Sequence, residues 1–170
     1  MGKEAGIILG IHSNLDGTES NPDISNSGQV LSQFTAGHAW ISVTRNGINT
    51  RYGLWPDKHP RTVDNGPGTD IRKNMEPALG KANRFYKLTS IQSKKLLDLL
   101  NNNTTWKETN NCSSWASQVL YEVIGKDVDA DDWLGFETPR EFGKSINELE
   151  KKNKTTPASP KVMNDNSSTW

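Results

Sequence analysis

Residues 39–54 read as two alternating runs around Asn46-Gly47, and this stretch restricts the fold more than any other. Ala39, Ile41 and Val43 alternate with Trp40, Ser42 and Thr44, which is the two-residue period of a strand. Asn46-Gly47 supplies the two left-handed residues that a tight hairpin turn needs. With those two at the tip, Arg45 faces Ile48, and counting outward brings His38 opposite Trp55. The hairpin then carries a histidine at its open end, with Trp40 and Trp55 on the same face and Pro56-Asp57 alongside.

A second stretch, Asn110-Asn111-Cys112-Ser113-Ser114-Trp115-Ala116, holds the single cysteine. Asn110 or Asn111 suits a helix N-cap, because its side chain accepts an otherwise unpaired backbone N–H. Val119, Leu120, Val123 and Ile124 recur at helical spacing, and Gly125 stands where a C-terminal cap belongs. Cys112 would therefore lie in the first turn, where backbone N–H groups and the helix dipole favour thiolate over thiol. A thiolate is the form that attacks a carbonyl carbon.

A lone cysteine more often just fills space. A histidine flanked by tryptophans is more often a satisfied structural residue. Only the combination points to chemistry: a sheet-borne imidazole at His38 against a thiol at a helix N-terminus. A third group usually orients such an imidazole by accepting its second N–H. The hairpin register offers Asp57 for that role and, less directly, His59. The backbone N–H of Cys112, helped by the side chains of Asn111 or Ser113, would hold an oxyanion. Trp40 and Trp55 are expected to contribute to substrate binding.

Elsewhere, residues 6–11 read as a short buried strand ended by His12, which reads as a surface residue. Residues 13–28 read as a loop. Residues 56–80 carry four prolines and read as a long irregular loop, a length often associated with function. A strand follows near residues 84–88. Thr89-Ser90-Ile91-Gln92 fits a capping box, with Ile91, Leu96, Leu97 and Leu100 as the apolar face of its helix. Residues 126–137 form an acidic connector anchored by Trp133, Leu134 and Phe136. Thr138-Pro139-Arg140-Glu141 opens another helix, striped by Phe142, Ile146 and Leu149. The expectation is an α+β fold: a small antiparallel sheet packed against the cysteine-bearing helix and further helices. One catalytic domain would span residues 1–152, followed by a polar, flexible tail over 153–170.

Acidic and basic residues balance at 20 each among 170 residues, which gives no support for a nucleic-acid partner. One cysteine excludes an intrachain disulfide framework. His12, His38 and His59 lack metal-ligand spacing and no CxxC pair exists, so neither metal nor cofactor is expected. No segment is long enough to span a membrane. Ile7 to Ile11 is too short for a secretory core and is broken by Gly10, so the expectation is synthesis in the cytoplasm without a signal peptide.

Gly37-His38-Ala39-Trp40-Ile41-Ser42-Val43, Tyr52-Gly53-Leu54-Trp55-Pro56-Asp57 and Asn111-Cys112-Ser113-Ser114-Trp115-Ala116 together resemble the circularly permuted papain-like fold. In NlpC-type cell-wall peptidases the cysteine helix precedes the histidine strand. In the permuted branch, which includes lecithin:retinol acyltransferase-like enzymes, histidine comes first, as here. The resemblance covers about residues 5–150 and is carried by the histidine strand and the cysteine helix. It implies Cys112 as nucleophile and His38 as base, and assigns no third residue. The small size and signal-less start also look like bacterial effectors delivered by contact-dependent secretion, such as type VI amidases. That implies a peptidoglycan stem peptide as substrate, action in the periplasm of a target cell and a cognate immunity protein. The leading expectation is thus a cysteine amidase or endopeptidase with an antibacterial role. Two others stand beside it. One is a thioesterase or acyltransferase working on lipid acyl chains in a groove of exposed tryptophans. The other is a non-enzymatic binding module.

Overall fold

The Asn46-Gly47 turn forms as its residue types require. In the computed structural model, which describes residues 6–18, 37–57, 62, 68–107, 110–125 and 138–164, both residues have positive φ (51° and 77°). Strands β2 (Ala39–Arg45) and β3 (Ile48–Leu54) pair antiparallel from Arg45–Ile48 back to Ile41–Tyr52. Strand β1 (Ile8–Ser13) lines the other side of β2, with His12 opposite Trp40. Beyond β1 lies β5 (Ala82–Lys87), and beyond β3 lies β4 (Ile71–Lys73). A two-residue strand β6 (Lys161–Val162) joins β5 in parallel, so the order is β4-β3-β2-β1-β5-β6 and the sheet is mixed. Among the described residues there are three helices: α1 (Ser90–Asn101), α2 (Cys112–Ile124) and α3 (Pro139–Lys152). The architecture is α+β, with one parallel pair that the sequence reading did not anticipate.

Strand alternation explains the core. Leu9, Ile11, Ala39, Ile41, Val43 and Leu54 meet helical Trp115, Val119, Leu120, Val123, Phe142 and Ile146 in one buried cluster. Each buried Val, Leu, Ile or Phe side chain among them contributes about 1.5–3 kcal/mol of transfer free energy. The intervening residues His12, Trp40, Ser42 and Phe85 point to the opposite side and are buried as well. His12 is therefore not the surface residue expected.

Helix α1 opens with the expected capping box: Gln92 N–H donates to Thr89 Oγ1, and Gln92 Oε1 accepts the Thr89 N–H. Leu96, Leu97 and Leu100 face the core as expected, and Ile91 departs from the expected face. Ile91 is 61% exposed, whereas Gln92 and Leu96 are buried. The Gln92 side chain turns inward because it serves both the cap and the carbonyl of Asn164.

Two expectations are corrected by docking that apolar patterning does not report. Residues 56–80 are not wholly irregular: β4 adds an edge strand to β3. Residues 153–164 do not form a free tail. Thr155 Oγ1 donates to Glu150 Oε1 (2.7 Å) and accepts the Phe85 N–H (2.9 Å). Arg84 Nη1 donates to the Asn153 carbonyl, and Met163 N–H donates to the Lys87 carbonyl. Met163 is part of the core. Residues 165–170 of the expected tail, the connector with Trp133, Leu134 and Phe136, and His59 all lie outside the described residues. Among the described residues, no helix is long and apolar enough to cross a membrane.

Met163→Ala is expected to lower stability by about 2–3 kcal/mol, since it empties a buried site. Urea unfolding will show this as a lower midpoint with an unchanged slope. Ending the chain at Lys154 should lower the midpoint further, because β6 and the Thr155 bonds go with it.

Candidate active site

The polar run before Cys112 has a local reason. Asn111 Oδ1 accepts the N–H groups of Ser113 (3.0 Å) and Ser114 (3.1 Å), and Ser114 Oγ accepts the Asn111 N–H (2.8 Å). This cap starts α2 with Cys112 as its first helical residue and leaves the Cys112 N–H outside the cap's own bonds. The thiol is half-buried, with Ser113 Oγ 3.9 Å away, and it accepts a bond from the Ala39 backbone at the start of β2.

His38 is the residue just before β2, and its backbone is tied on both sides. Its N–H donates to Asn14 Oδ1 (2.6 Å), and its carbonyl accepts the Asn14 N–H (3.1 Å). Its ring lies 4.2 Å from that of Trp55 and is near-parallel to that of Trp40 at 5.8 Å. Nε2 is 2.8 Å from Glu76 Oε1, and the imidazole also hydrogen-bonds the Cys112 side chain. Because Nε2 serves Glu76, Nδ1 is the nitrogen left for sulfur.

Glu76 comes from the turn after β4. Its side chain is 1% exposed, and Oε1 accepts a second bond from Trp55 Nε1 (2.7 Å). Arg51 on β3 holds the turn: its Nε donates to the Glu76 carbonyl, and its backbone exchanges bonds with Asn74, which has a left-handed φ of 57°. Beneath the carboxylate lies Gly53. A Cβ there would overlap Glu76 Oε1 and stand 2.8 Å from His38 Nε2 and 2.9 Å from Trp55 Nε1. The carboxylate occupies the space that any other residue's side chain would need.

The charges reinforce one another. Burial alone would lower the His38 pKa, but the Cys112 thiolate, its hydrogen bond and Glu76 outweigh this and raise it to about 9. Burial would raise the Cys112 pKa, but the imidazolium, its hydrogen bond and the Ala39 and Ser113 groups lower it. Each group therefore favours the charged form of the other: the thiolate raises the imidazole and the imidazolium lowers the thiol. His12 behaves oppositely. It is fully buried, its Nδ1 donates to Asn83 Oδ1 (2.7 Å), and its Nε2 accepts the Ser42 hydroxyl (2.8 Å). Burial among these neutral partners lowers its pKa to about 4.

The expected pair of Cys112 and His38 is thus brought together, and the third position differs. Asp57 Oδ1 accepts Arg72 Nη2 at 2.8 Å, while Glu76 stands against His38. Trp40 (1% exposed) and Trp55 (7%) are buried behind the histidine and present no face to a substrate. Ser113 is also buried, and Asn111 Oδ1 is committed to the helix cap. The missed residue, Glu76, had one signal in the sequence: Gly53 interrupts a strand, a mark of close approach by another group. Among the described residues, no group of three His, Cys, Asp or Glu side chains could hold a metal ion. No protein-family model, curated protein or solved structure matches this chain.

Gly53→Ala should push Glu76 off His38 without unfolding the sheet. The expected result is a drop of about tenfold in Cys112 alkylation rate near pH 6, one unit of lost ion-pair stabilisation, with an unchanged far-ultraviolet circular dichroism spectrum. His12 makes a separate pH prediction. Between pH 6.5 and about 4 the unfolded chain binds a proton that folded His12 refuses, so stability falls as pH falls. The loss from this group is roughly 3 kcal/mol by pH 4. His12→Asn should flatten that slope in denaturant titrations at several pH values.

Proposed function

We propose that this protein is a cysteine hydrolase of amide bonds, with a permuted papain-like arrangement of its catalytic groups. Cys112 is the nucleophile, His38 the acid–base and Glu76 the group that orients the imidazole. The observation that carries the reading is a single imidazole bridging the Cys112 thiol and a carboxylate sealed from solvent. The Cys112 thiolate attacks the acyl carbon, and the developing oxyanion lies toward the Cys112 N–H at the helix start. His38 gives its proton to the departing amine, leaving a thioester. A water molecule then attacks the thioester, His38 takes its proton and acid is released.

The resemblance of the histidine strand and cysteine helix to cell-wall peptidases supports peptidoglycan stem peptides as the substrate. With it comes an antibacterial effector role in the periplasm of a target cell and a cognate immunity protein. The lipid-acyl alternative rested on exposed tryptophans, and burial of Trp40 and Trp55 removes those two from any such groove. A binding module has no use for an ion pair held on a buried carboxylate.

The test is digestion of isolated peptidoglycan by the purified full chain, with products identified by mass. Wild type should release new amine and carboxyl ends. Cys112→Ala and His38→Ala should each abolish this while remaining folded, and the double mutant should lose little more. Glu76→Gln should lower kcat by about 10²-fold or more, the low end of what acid–base positioning contributes. Undiminished turnover by Cys112→Ala would sink the enzyme reading. Cleavage of ester or thioester substrates with no action on peptidoglycan would move the protein to the acyl-transfer class.

A further inference from the structure

The Glu76 carboxylate is more sparsely bonded than its burial would lead one to expect. Oε1 accepts two hydrogen bonds, from His38 Nε2 at 2.8 Å and Trp55 Nε1 at 2.7 Å, while Oε2 is buried with no partner among the described residues. The Trp55 indole is therefore the second of the two donors that the carboxyl group has among the described residues. Trp55 is also packed against the His38 ring and hidden from water. Its packing alone would account for a tryptophan here. Its N–H is a separate matter, because it lands on the same oxygen atom that binds the imidazole.

We propose that the indole N–H of Trp55 is a positioning and tuning donor: by sharing Glu76 Oε1 with His38, it keeps the imidazole able to give up its proton. The assignment rests on the hydrolase reading of the same site. The sign follows from charge. Carboxylate plus neutral imidazole is an anionic unit, and carboxylate plus imidazolium is a neutral one. A hydrogen-bond donor stabilises the anionic unit more, so it lowers the proton affinity of the His38–Glu76 pair. A buried carboxylate with no other donor would hold the imidazolium more tightly, and a tightly held proton is a poor one for the leaving amine. The other groups around His38 do not supply this donor. Cys112 approaches from α2 as a thiol whose pKa is lowered by the imidazole, and its charged form attracts the His38 proton rather than offering a bond to Glu76. Trp40 of β2 lies alongside the ring, with neutral His12 of β1 beyond it. Arg51 of β3 directs its Nε to the Glu76 backbone carbonyl. Gly53 beneath makes the shared geometry possible, since any Cβ there would displace the oxygen that both donors reach.

The experiment is a nuclear magnetic resonance titration of the His38 ring in the full chain, comparing wild type, Trp55→Phe and Glu76→Gln. Trp55→Phe should raise the His38 midpoint by about one pH unit, the size of one hydrogen bond to a charged group. Glu76→Gln should lower it. The opposite signs make the test discriminating, because loosened packing or a displaced Glu76 would move Trp55→Phe in the same direction as Glu76→Gln. An unchanged or lowered midpoint in Trp55→Phe overturns the proposal. If that variant folds poorly, replacing the Trp55 side chain with its benzothiophene analogue keeps the ring size and deletes only the N–H. The same rise is expected there, and its absence is equally fatal. A wild-type His38 that titrates near 6.5 beside an unreactive thiol would sink the hydrolase reading and this inference with it. A wild-type ion pair with an unmoved Trp55→Phe midpoint would sink this inference alone.

Discussion

The pairing register of β2 against β3 is the constraint on which the rest of the site depends. A shift of one residue would turn every side chain of β3 to the opposite face of the sheet. Gly53 and Trp55 would then leave the side on which His38 and Glu76 meet. The Asn46-Gly47 turn pins the register at one end, and the alternating core residues Ile41, Val43 and Leu54 pin it along its length. The neighbouring strands build on that platform. β1 delivers Asn14 to clamp the His38 backbone from one side, and β4 returns the chain so that Glu76 reaches the ring from the other. Helix α2 needs only to start above Ala39 for its first residue to meet the imidazole.

Two histidines lying on either side of Trp40 show how local partners, not burial, decide charge. His12 and His38 are both shielded by aromatic rings, and desolvation disfavours the protonated form of each. The partners of His12 are an amide oxygen and a hydroxyl, which cannot repay the loss of water around a cation. His38 lies between the Cys112 thiol and the Glu76 carboxyl group, whose hydrogen bonds and negative charge raise its pKa against the desolvation cost. The converse also holds. The thiolate and the Glu76 carboxylate are tolerated inside the protein because one cation stands between them, and removing it would leave two uncompensated negative charges.

What could be read in the sequence follows the range of the physics involved. The hairpin, the Asn111 cap, the Thr89 capping box and the Thr138-Pro139 helix start are decided by residues within a few positions of one another, and each forms as read. The meeting of Cys112 with His38 is long-range, yet it was legible because both sit at the ends of elements with clear boundaries. Glu76 was not. Its place depends on a three-residue edge strand, too short to show a period, and on a turn held by Arg51. Asp57 looked suitable because it follows the hairpin directly, but the nearby Arg72 guanidinium claims its carboxylate. The docked segment after Asn153 escaped for a similar reason: hydrogen bonds along β5 hold it, and composition does not record where those bonds fall.

The departures from ordinary packing rules are themselves informative. A strand interior usually avoids glycine, a sealed interior avoids a carboxylate oxygen without a donor, and a buried indole N–H normally finds an acceptor. Gly53, Glu76 Oε2 and Trp40 Nε1 each break one of these rules. All three belong to residues that surround His38: Glu76 bonds its Nε2, Trp40 lies along its ring, and Gly53 leaves the space in which the carboxylate sits. Sequences tend to agree with their folds everywhere except where a site requires otherwise. These three exceptions border the imidazole that links the thiol to the carboxylate, whereas others of the same kind, Gly10 of β1 against His12 and Ser42 and the buried Asn49 Oδ1 near the hairpin tip, lie elsewhere in the sheet.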